Sequence, residues 1–179
     1  MKQIPLRMLL LCALFAALTA VCAQISIPIG AVPVTLSLLP LLLASALLPW
    51  RYAGLTALVY LLMGLVGLPV FSGMAGGPGK LFGVTGGYIL GYLPCAALSG
   101  WLMTKWGRSF GKQCGAMALG VAACYAFGTA WFMVTKHVGL WASLTMCVLP
   151  FLPGDAVKIA LAAGLSQRLT EPLRRAMKR

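Results

Sequence analysis

Two residues of opposite charge, Asp155 and Lys158, stand three positions apart in an otherwise apolar segment near the end of the chain. Residues three apart share one face of a helix, so the two side chains can reach each other and a common ligand. A charged side chain within a bilayer costs about 3 kcal/mol on insertion scales, and such residues therefore face an interior cavity or pair with each other. A carboxylate accepts hydrogen bonds and an ammonium group donates them. The pair is thus a candidate site for a ligand with a polar head group.

The alternative interpretation of this pair is structural. Asp155 follows Pro153 and Gly154, and an acidic residue at the start of a helix caps backbone N–H groups and complements the helix dipole. Lys158 would then be only its ion-pair partner, although capping and binding are compatible. The other acidic residue, Glu171, lies in the basic C-terminal tail, where water can solvate it.

The composition places these residues in a membrane protein. Of the 179 residues, 61% are hydrophobic and only 9% are charged, whereas about a quarter of the residues of a soluble domain are charged. Such a chain cannot cover its surface in water, and its apolar content excludes a disordered or collagen-like chain. We therefore expect an all-α integral membrane protein.

The net charge of +12 does not indicate nucleic acid as a partner, because the basic residues stand between apolar runs instead of on a polar face. The six cysteines form no C-x-x-C pair and are interpreted as small buried apolar residues. His137 is the single histidine, so neither a metal site nor a Ser–His catalytic pair is indicated. We expect no metal, no cofactor and no enzymatic activity.

Charge-free windows of about 20 residues predict six membrane-spanning helices, since a helix of that length crosses the hydrocarbon core. Because of Pro33, the sequence does not fix the residue at which the helix of the second span begins. Pro150 and Pro153 divide the last apolar region into two parts. Residues 139–149 are therefore predicted to form a short helix or re-entrant stretch, and Glu171 and Pro172 to end the last span. Within a single domain, 1–179, the predicted spans are 8–25, 31–50, 52–71, 81–104, 114–135 and 154–169.

The basic residues predict that both termini are cytoplasmic. With the N-terminus inside, only Lys80 and Lys136 fall outside, and Lys158 lies near the last span. The cytoplasmic side then carries the remaining basic residues, which are Lys2, Arg7, Arg51, Lys105, Arg108, Lys112, Arg168, Arg174, Arg175, Lys178 and Arg179. An alternative is that the first apolar run is a secretory signal removed before Gln24.

The spacing of glycines predicts close packing between helices. Glycines at 83, 87 and 91 recur every four residues, with Tyr88 and Tyr92 beside them as packing or interface residues. The glycine-rich segment 67–91 includes GGPGK but has Met74 and Leu81 where a phosphate-binding loop needs Gly and Ser or Thr, so nucleotide binding is unsupported. This segment is either a lid over a substrate or a plain connection.

Three stretches of the sequence resemble a known family. They are ALFAALTAVCAQISIPIGAVPVTL from Ala13, GLVGLPVFSGMAGGPGKLFGVTGGYILGY from Gly64 and LPGDAVKIALA from Leu152. In their order and spacing they resemble BioY, the biotin-binding S component of energy-coupling factor (ECF) vitamin transporters. The resemblance implies the six-helix S-component fold in a prokaryotic plasma membrane, with biotin captured from outside the cell.

The same resemblance implies partners and a docking face. Other members of the transporter class work with a membrane-embedded coupling protein and two ATPase subunits, so ATP hydrolysis is expected in those partners. Small residues of the first helix form part of the docking face in that class. Here the corresponding residues are Ala13, Ala17, Ala16 and Ala20.

For the ligand, the resemblance implies that Asp155 accepts from the ureido N–H groups of biotin while Lys158 donates to its carbonyl. Phe71 and Tyr88 would enclose the ring and chain, and Lys80 is the candidate cation for the valerate carboxylate.

Two departures from the family pattern bear on this site. Val84 stands where the pattern has proline, and the chain contains no asparagine. Thr85, Gln24, backbone or water would have to replace any asparagine contact of relatives. Other hypotheses are an S component for thiamin or riboflavin, a membrane scaffold protein, and an intramembrane enzyme.

Overall fold

The computed structural model of the chain describes residues 6–27 and 32–178, and within the last helix the side chains of residues 174 and 176–178 are not described. Lys2, Arg179 and the start of the predicted second span at Ala31 lie outside these ranges. The described elements are, in chain order, α1 (Leu6–Gln24), β1 (Ser26–Ile27), β2 (Val34–Thr35), α2 (Leu38–Leu47), α3 (Trp50–Leu65), α4 (Pro78–Leu81), α5 (Gly86–Leu90), α6 (Tyr92–Trp106), α7 (Phe110–Lys136), α8 (Leu140–Cys147) and α9 (Leu152–Lys178).

The architecture of the described residues is a helical bundle. Helices α1 and α7 are long and apolar enough to cross a membrane, and α8 with α9, bent by 54°, makes a third such span if the pair is counted as one. Helices α2 and α3 are apolar but shorter. The positions of α1 and α7 agree with the predicted spans 8–25 and 114–135 to within a turn or so. The predicted all-α class is confirmed, with one two-stranded ribbon added to it.

The ribbon replaces the predicted start of the second span. Ser26 pairs with Thr35 and Ile27 with Val34 in antiparallel register, and the helix begins only at Leu38. Pro33 precedes the second strand and lacks the N–H that a helix interior requires. Once it begins, α2 is buried on nearly all of its faces, as expected of an apolar helix in the centre of a bundle.

The predicted fourth span, 81–104, was wrong at its start. Residues 82–85 form a turn between α4 and the helical pair α5 and α6, which meet at Gly91. A Cβ atom at residue 86 would lie 1.7 Å from the carbonyl oxygen of Leu81, so the turn folds back onto the backbone of Gly86. A continuous helix from residue 81 is incompatible with that close approach.

The last apolar region is divided as predicted, but its second helix is longer. Helix α9 continues through Glu171 and Pro172 to Lys178, so the predicted end at these two residues was wrong. A proline inside a helix removes one backbone hydrogen bond. Both residues are exposed, so water can satisfy the carbonyl that is left without its partner.

Small residues let the helices approach each other closely, as the glycine pattern predicted. A Cβ atom at Gly87 would lie 2.2 Å from the Cβ of Trp131, and one at Gly120 would lie 2.0 Å from Ser99 Oγ. Four of the six cysteines are buried, in agreement with their interpretation as apolar core residues. The largest core cluster joins α2, α3, α6, α7 and α9 and holds rigid the helices that carry the candidate site.

Candidate binding site

The centre of the candidate site is the ion pair between Asp155 and Lys158. Lys158 Nζ lies 2.6 Å from Asp155 Oδ1, and the two residues are only 4% and 5% exposed. The break between α8 and α9 sets their position, since the Asp155 N–H donates to the carbonyl of Phe151 in the first turn of α9. A buried pair of this kind offers a carboxylate and an ammonium group to a ligand at one place.

Tyr125 of α7 completes the surroundings of the carboxylate, because its hydroxyl donates to Asp155 Oδ2. An ionised carboxylate has about four acceptor positions, so each oxygen keeps a lone pair after these two bonds. Lys158 likewise keeps two of its three protons. Sequence reasoning missed Tyr125, which is uncharged and lies 30 residues from Asp155. The feature that could have indicated its role is a tyrosine hydroxyl within an apolar span.

A cavity of about 430 Å³ adjoins the pair. We call it the ion-pair cavity; its lining residues also include Leu38, Val121 and Phe151. A second cavity of about 360 Å³ contains Tyr60, Phe71 and Thr85, and we call it the aromatic cavity. The two cavities adjoin each other and share five lining residues: Val32, Pro33, Thr35, Tyr88 and Tyr92.

The structure therefore brings most of the predicted ligand-binding residues together. Asp155 and Lys158 line the ion-pair cavity, Phe71 and Thr85 line the aromatic cavity, and Tyr88 lines both. Lys80 is half-buried in α4 and is not among the residues that line either cavity.

Three hydroxyl groups form a chain at the boundary of the two cavities. Thr35 Oγ1 and Ser37 Oγ are 2.6 Å apart, and Ser37 Oγ is 2.6 Å from the hydroxyl of Tyr92. Thr35 is in β2, and Ser37 follows it by two positions in the turn before α2. Sequence reasoning missed this hydroxyl chain, since Tyr92 is 55 residues from Ser37 and was interpreted as a packing residue.

Aromatic side chains form the apolar walls of the aromatic cavity. Tyr60 packs edge-on against Phe71 with ring centroids 5.5 Å apart and stacks on Tyr92 at 6.1 Å. Tyr88 packs against Gly128, where a Cβ atom would lie 2.3 Å from the ring, and its hydroxyl is 3.1 Å from Thr129 Oγ1. The walls are therefore fixed by contacts with one another and, for Tyr88, by contacts with α7.

The glycine-rich segment is attached to α1 by one side chain, Gln24. Its Nε2 group lies 3.2 to 3.3 Å from the carbonyl oxygens of Pro69, Phe71 and Ala20. Its Oε1 accepts from the backbone N–H of Met74 at 2.9 Å, a residue with a φ of 54° that side chains rarely permit. We call this set of contacts the Gln24 clasp. It holds Phe71, a wall of the aromatic cavity, in place.

The four alanines predicted to dock a partner do not share one environment. Ala13 and Ala17 are exposed on α1, whereas Ala20 is partly buried. Ala16 is 0% exposed and packs in a cluster with Tyr60 and Phe71. The prediction for Ala16 was therefore wrong, because its side chain faces the interior of the bundle and cannot contact a partner.

The fold and this site define the class of protein. A solved crystal structure described as the S-component for biotin from an ECF-type ABC transporter has a TM-score of 0.87 to this chain. The two are 27% identical, and the match covers 96% of this chain and 94% of the other. The architecture is that of an S component.

The family follows from the sequence itself. The sequence model of the BioY family matches residues 1–175, and the chain belongs to this family. It is 38% identical over 159 residues to the "Probable biotin transporter BioY" of Pyrococcus horikoshii, covering 89% of this chain and 93% of that one. It is 34% identical over 165 residues to the biotin transporter BioY of Thermotoga maritima, covering 92% and 96%, and 35% identical over 173 residues to that of Rhodobacter capsulatus, covering 88% and 90%.

Proposed function

We propose that this protein captures biotin from outside the cell as the substrate-specific subunit of an ATP-driven ECF-type vitamin transporter. Membership of the BioY family and the likeness to an S-component for biotin support this function. It is a transport function and not an enzymatic one. The observation that carries it is the buried Asp155–Lys158 pair facing a cavity with aromatic walls.

The chemistry of the pair matches the ureido ring of biotin. The ring has two N–H donors and one carbonyl acceptor, and Asp155 retains lone pairs for the donors while Lys158 retains protons for the acceptor. The Tyr125 hydroxyl, bound to the second oxygen of Asp155, holds the carboxylate in orientation. The rings of Phe71 and Tyr88 offer apolar surface to the sulfur-containing ring and the valerate chain.

We also propose a six-span arrangement in the plasma membrane of a prokaryote, with both termini cytoplasmic. The spans would be α1, α2, α3, α5 with α6, α7 and α9. The distribution of Lys and Arg between the ends of these helices supports the orientation.

The proposed partners are a membrane-embedded coupling protein and two ATPase subunits, which would supply ATP hydrolysis. The exposed Ala13 and Ala17 of α1 support a docking surface, because small residues let a second helix approach closely. The chain itself departs from the phosphate-binding loop at Met74 and Leu81.

The test is calorimetric titration of biotin into purified protein from which endogenous ligand has been removed. We expect submicromolar binding by the wild type, loss of binding in Asp155→Asn, and unchanged binding in Glu171→Gln. The control removes the same charge from the exposed part of the same helix. Binding of thiamin or riboflavin instead of biotin would change the assigned vitamin. Failure of folded, ligand-free wild type to bind any of the three would contradict the proposed function.

A further inference from the structure

We propose that the hydroxyl chain of Thr35, Ser37 and Tyr92 binds the carboxylate of the ligand. The inference rests on the proposed function, because it concerns the far end of the same bound molecule. It assigns to neutral hydroxyl groups a task that the sequence suggested for Lys80.

The position of the hydroxyl chain is the first argument. Thr35 and Tyr92 line both cavities, and Ser37 lines the aromatic cavity. A ligand whose ring is held by Asp155 in the ion-pair cavity extends its chain past this boundary into the aromatic cavity. Its terminal group then meets hydroxyls and the aromatic rings that surround them.

The number of protons is the second argument. Three hydroxyl groups carry three protons, and the two hydrogen bonds within the chain use two of them. One proton remains to donate outward, from Thr35, Ser37 or Tyr92 according to which hydroxyl donates in each of the two bonds. The hydroxyl chain therefore always presents one donor to an acceptor in the site, and a carboxylate is the strongest acceptor that a vitamin of this kind carries.

The behaviour of Ser37 is the third argument. A serine at the start of a helix ordinarily accepts from a backbone N–H of the first turn. Ser37 occupies the N-cap position of α2 but makes no such side-chain bond. The residue is 1% exposed, and its hydroxyl is bonded instead to Thr35 and Tyr92. The Ser37 side chain thus forms hydrogen bonds at the boundary of the two cavities and does not cap the helix.

Electrostatics direct the carboxylate to this boundary. Asp155 would repel it in the depth of the ion-pair cavity. Among the described residues that line the two cavities, Lys158 is the single cation, and its charge is already balanced by Asp155. A hydroxyl donor carries no charge that burial would penalise, so it can receive the anion where no free cation lines the wall.

The experiment compares two ligands on matched variants. The ligands are biotin and an analogue in which a methyl group replaces the carboxyl group. We expect Ser37→Ala to weaken binding of biotin about ten- to a hundredfold, the range for a lost hydrogen bond to a charged group, and to leave the affinity for the analogue unchanged. Thr35→Val should act in the same way if Ser37→Ala does not fold. Thr56→Val, which removes a buried hydroxyl of α3 bonded to the Tyr52 carbonyl, should change neither affinity.

Lys80→Gln tests the alternative that Lys80 binds the carboxylate of the ligand. We expect it to leave both affinities as in the wild type, and a selective loss of biotin affinity in this variant would overturn the inference. An equal loss of both ligands in Ser37→Ala and Thr35→Val would overturn it as well. If the wild type binds biotin tightly in these experiments, the proposed function stands in either case, so the two failures are distinguishable.

Discussion

At the level of single residues, the site depends on a carboxylate with one buried partner, Lys158, and one half-buried partner, Tyr125. Asp155 balances the charge of Lys158 and receives the Tyr125 hydroxyl. Removing one member of a buried ion pair leaves the other as an uncompensated charge, whereas replacing both by apolar groups is often nearly neutral. Stability and binding can therefore be separated by mutation.

We expect Asp155→Asn to lower the free energy of unfolding by about 3–5 kcal/mol. Adding Lys158→Met to this variant should recover much of the loss, because no buried charge then remains, while biotin binding stays absent. The measurement is thermal unfolding in detergent, monitored by the fluorescence of the tryptophans. Glu171→Gln serves as the control and should unfold like the wild type. A double variant less stable than Asp155→Asn would contradict this interpretation of the pair.

A site residue can be predicted from the sequence when its chemical type differs from that of its neighbours in the chain. Asp155 and Lys158 stand out because charge is rare in an apolar segment and their spacing places them on one helix face. Tyr125 and Ser37 do not, since hydroxyl groups are common in membrane helices and their partners lie 30 and 55 residues away. Their roles depend on which helices become neighbours, and local spacing does not encode that.

At the level of elements, the Gln24 clasp connects the end of α1 to the loop between α3 and α4. The loop carries Phe71 into the bundle beside Gly64, where any Cβ atom would overlap the ring. Of the two interpretations of the glycine-rich segment, a lid and a plain connection, the clasp favours a covering element whose position is controlled by a neighbouring helix.

We expect Gln24→Ala to accelerate biotin dissociation about tenfold, because the loop loses contacts that are worth about 1 kcal/mol each. Gln24→Glu should have an effect at least as large, because a carboxylate oxygen in place of Nε2 would face the carbonyl oxygens of Ala20, Pro69 and Phe71 and repel them. Amide hydrogen exchange at residues 69–75 should increase in both variants. In the control variant Gln167→Ala, which loses a bond to the Arg108 carbonyl, neither quantity should change. An unchanged dissociation rate in Gln24→Ala would show that the clasp does not keep the site closed.

Helix positions are predictable where apolar length alone decides them, as for α1 and α7. The start of α2 and the turn before α5 are not, since they depend on the ribbon of Ser26–Ile27 with Val34–Thr35 and on the close approach of Leu81 to Gly86. Both features are contacts that exist only after folding. The same contacts place Thr35 and Tyr88 at the cavities.

At the level of the whole molecule, the proposed docking surface and the wall of the candidate binding site lie on different faces of α1. Ala13 and Ala17 point outward, while Ala16 packs inside with Tyr60 and Phe71. One helix thus contacts both the proposed partner and the wall of the aromatic cavity.

We expect Ala13→Leu and Ala17→Leu to abolish copurification with the coupling protein and to leave biotin affinity intact, because the added bulk keeps the partner helix away. The comparison is Ala118→Leu, which adds the same bulk to an exposed position of α7 and should copurify normally. Ala16→Leu should instead reduce stability and biotin binding, since an overfilled core displaces its neighbours. Copurification at the wild-type level with Ala13→Leu and Ala17→Leu would exclude this docking surface.

Asp155 and Lys158 cancel each other, so the empty site holds no net charge in the electric field of the membrane. A bound carboxylate brings in a single negative charge. One elementary charge crossing a full potential of 100 mV involves about 2.3 kcal/mol. In a cell whose interior is negative, the voltage opposes the inward movement of this anion, and the energy for accumulation has to come from a chemical source such as the proposed ATPase partners.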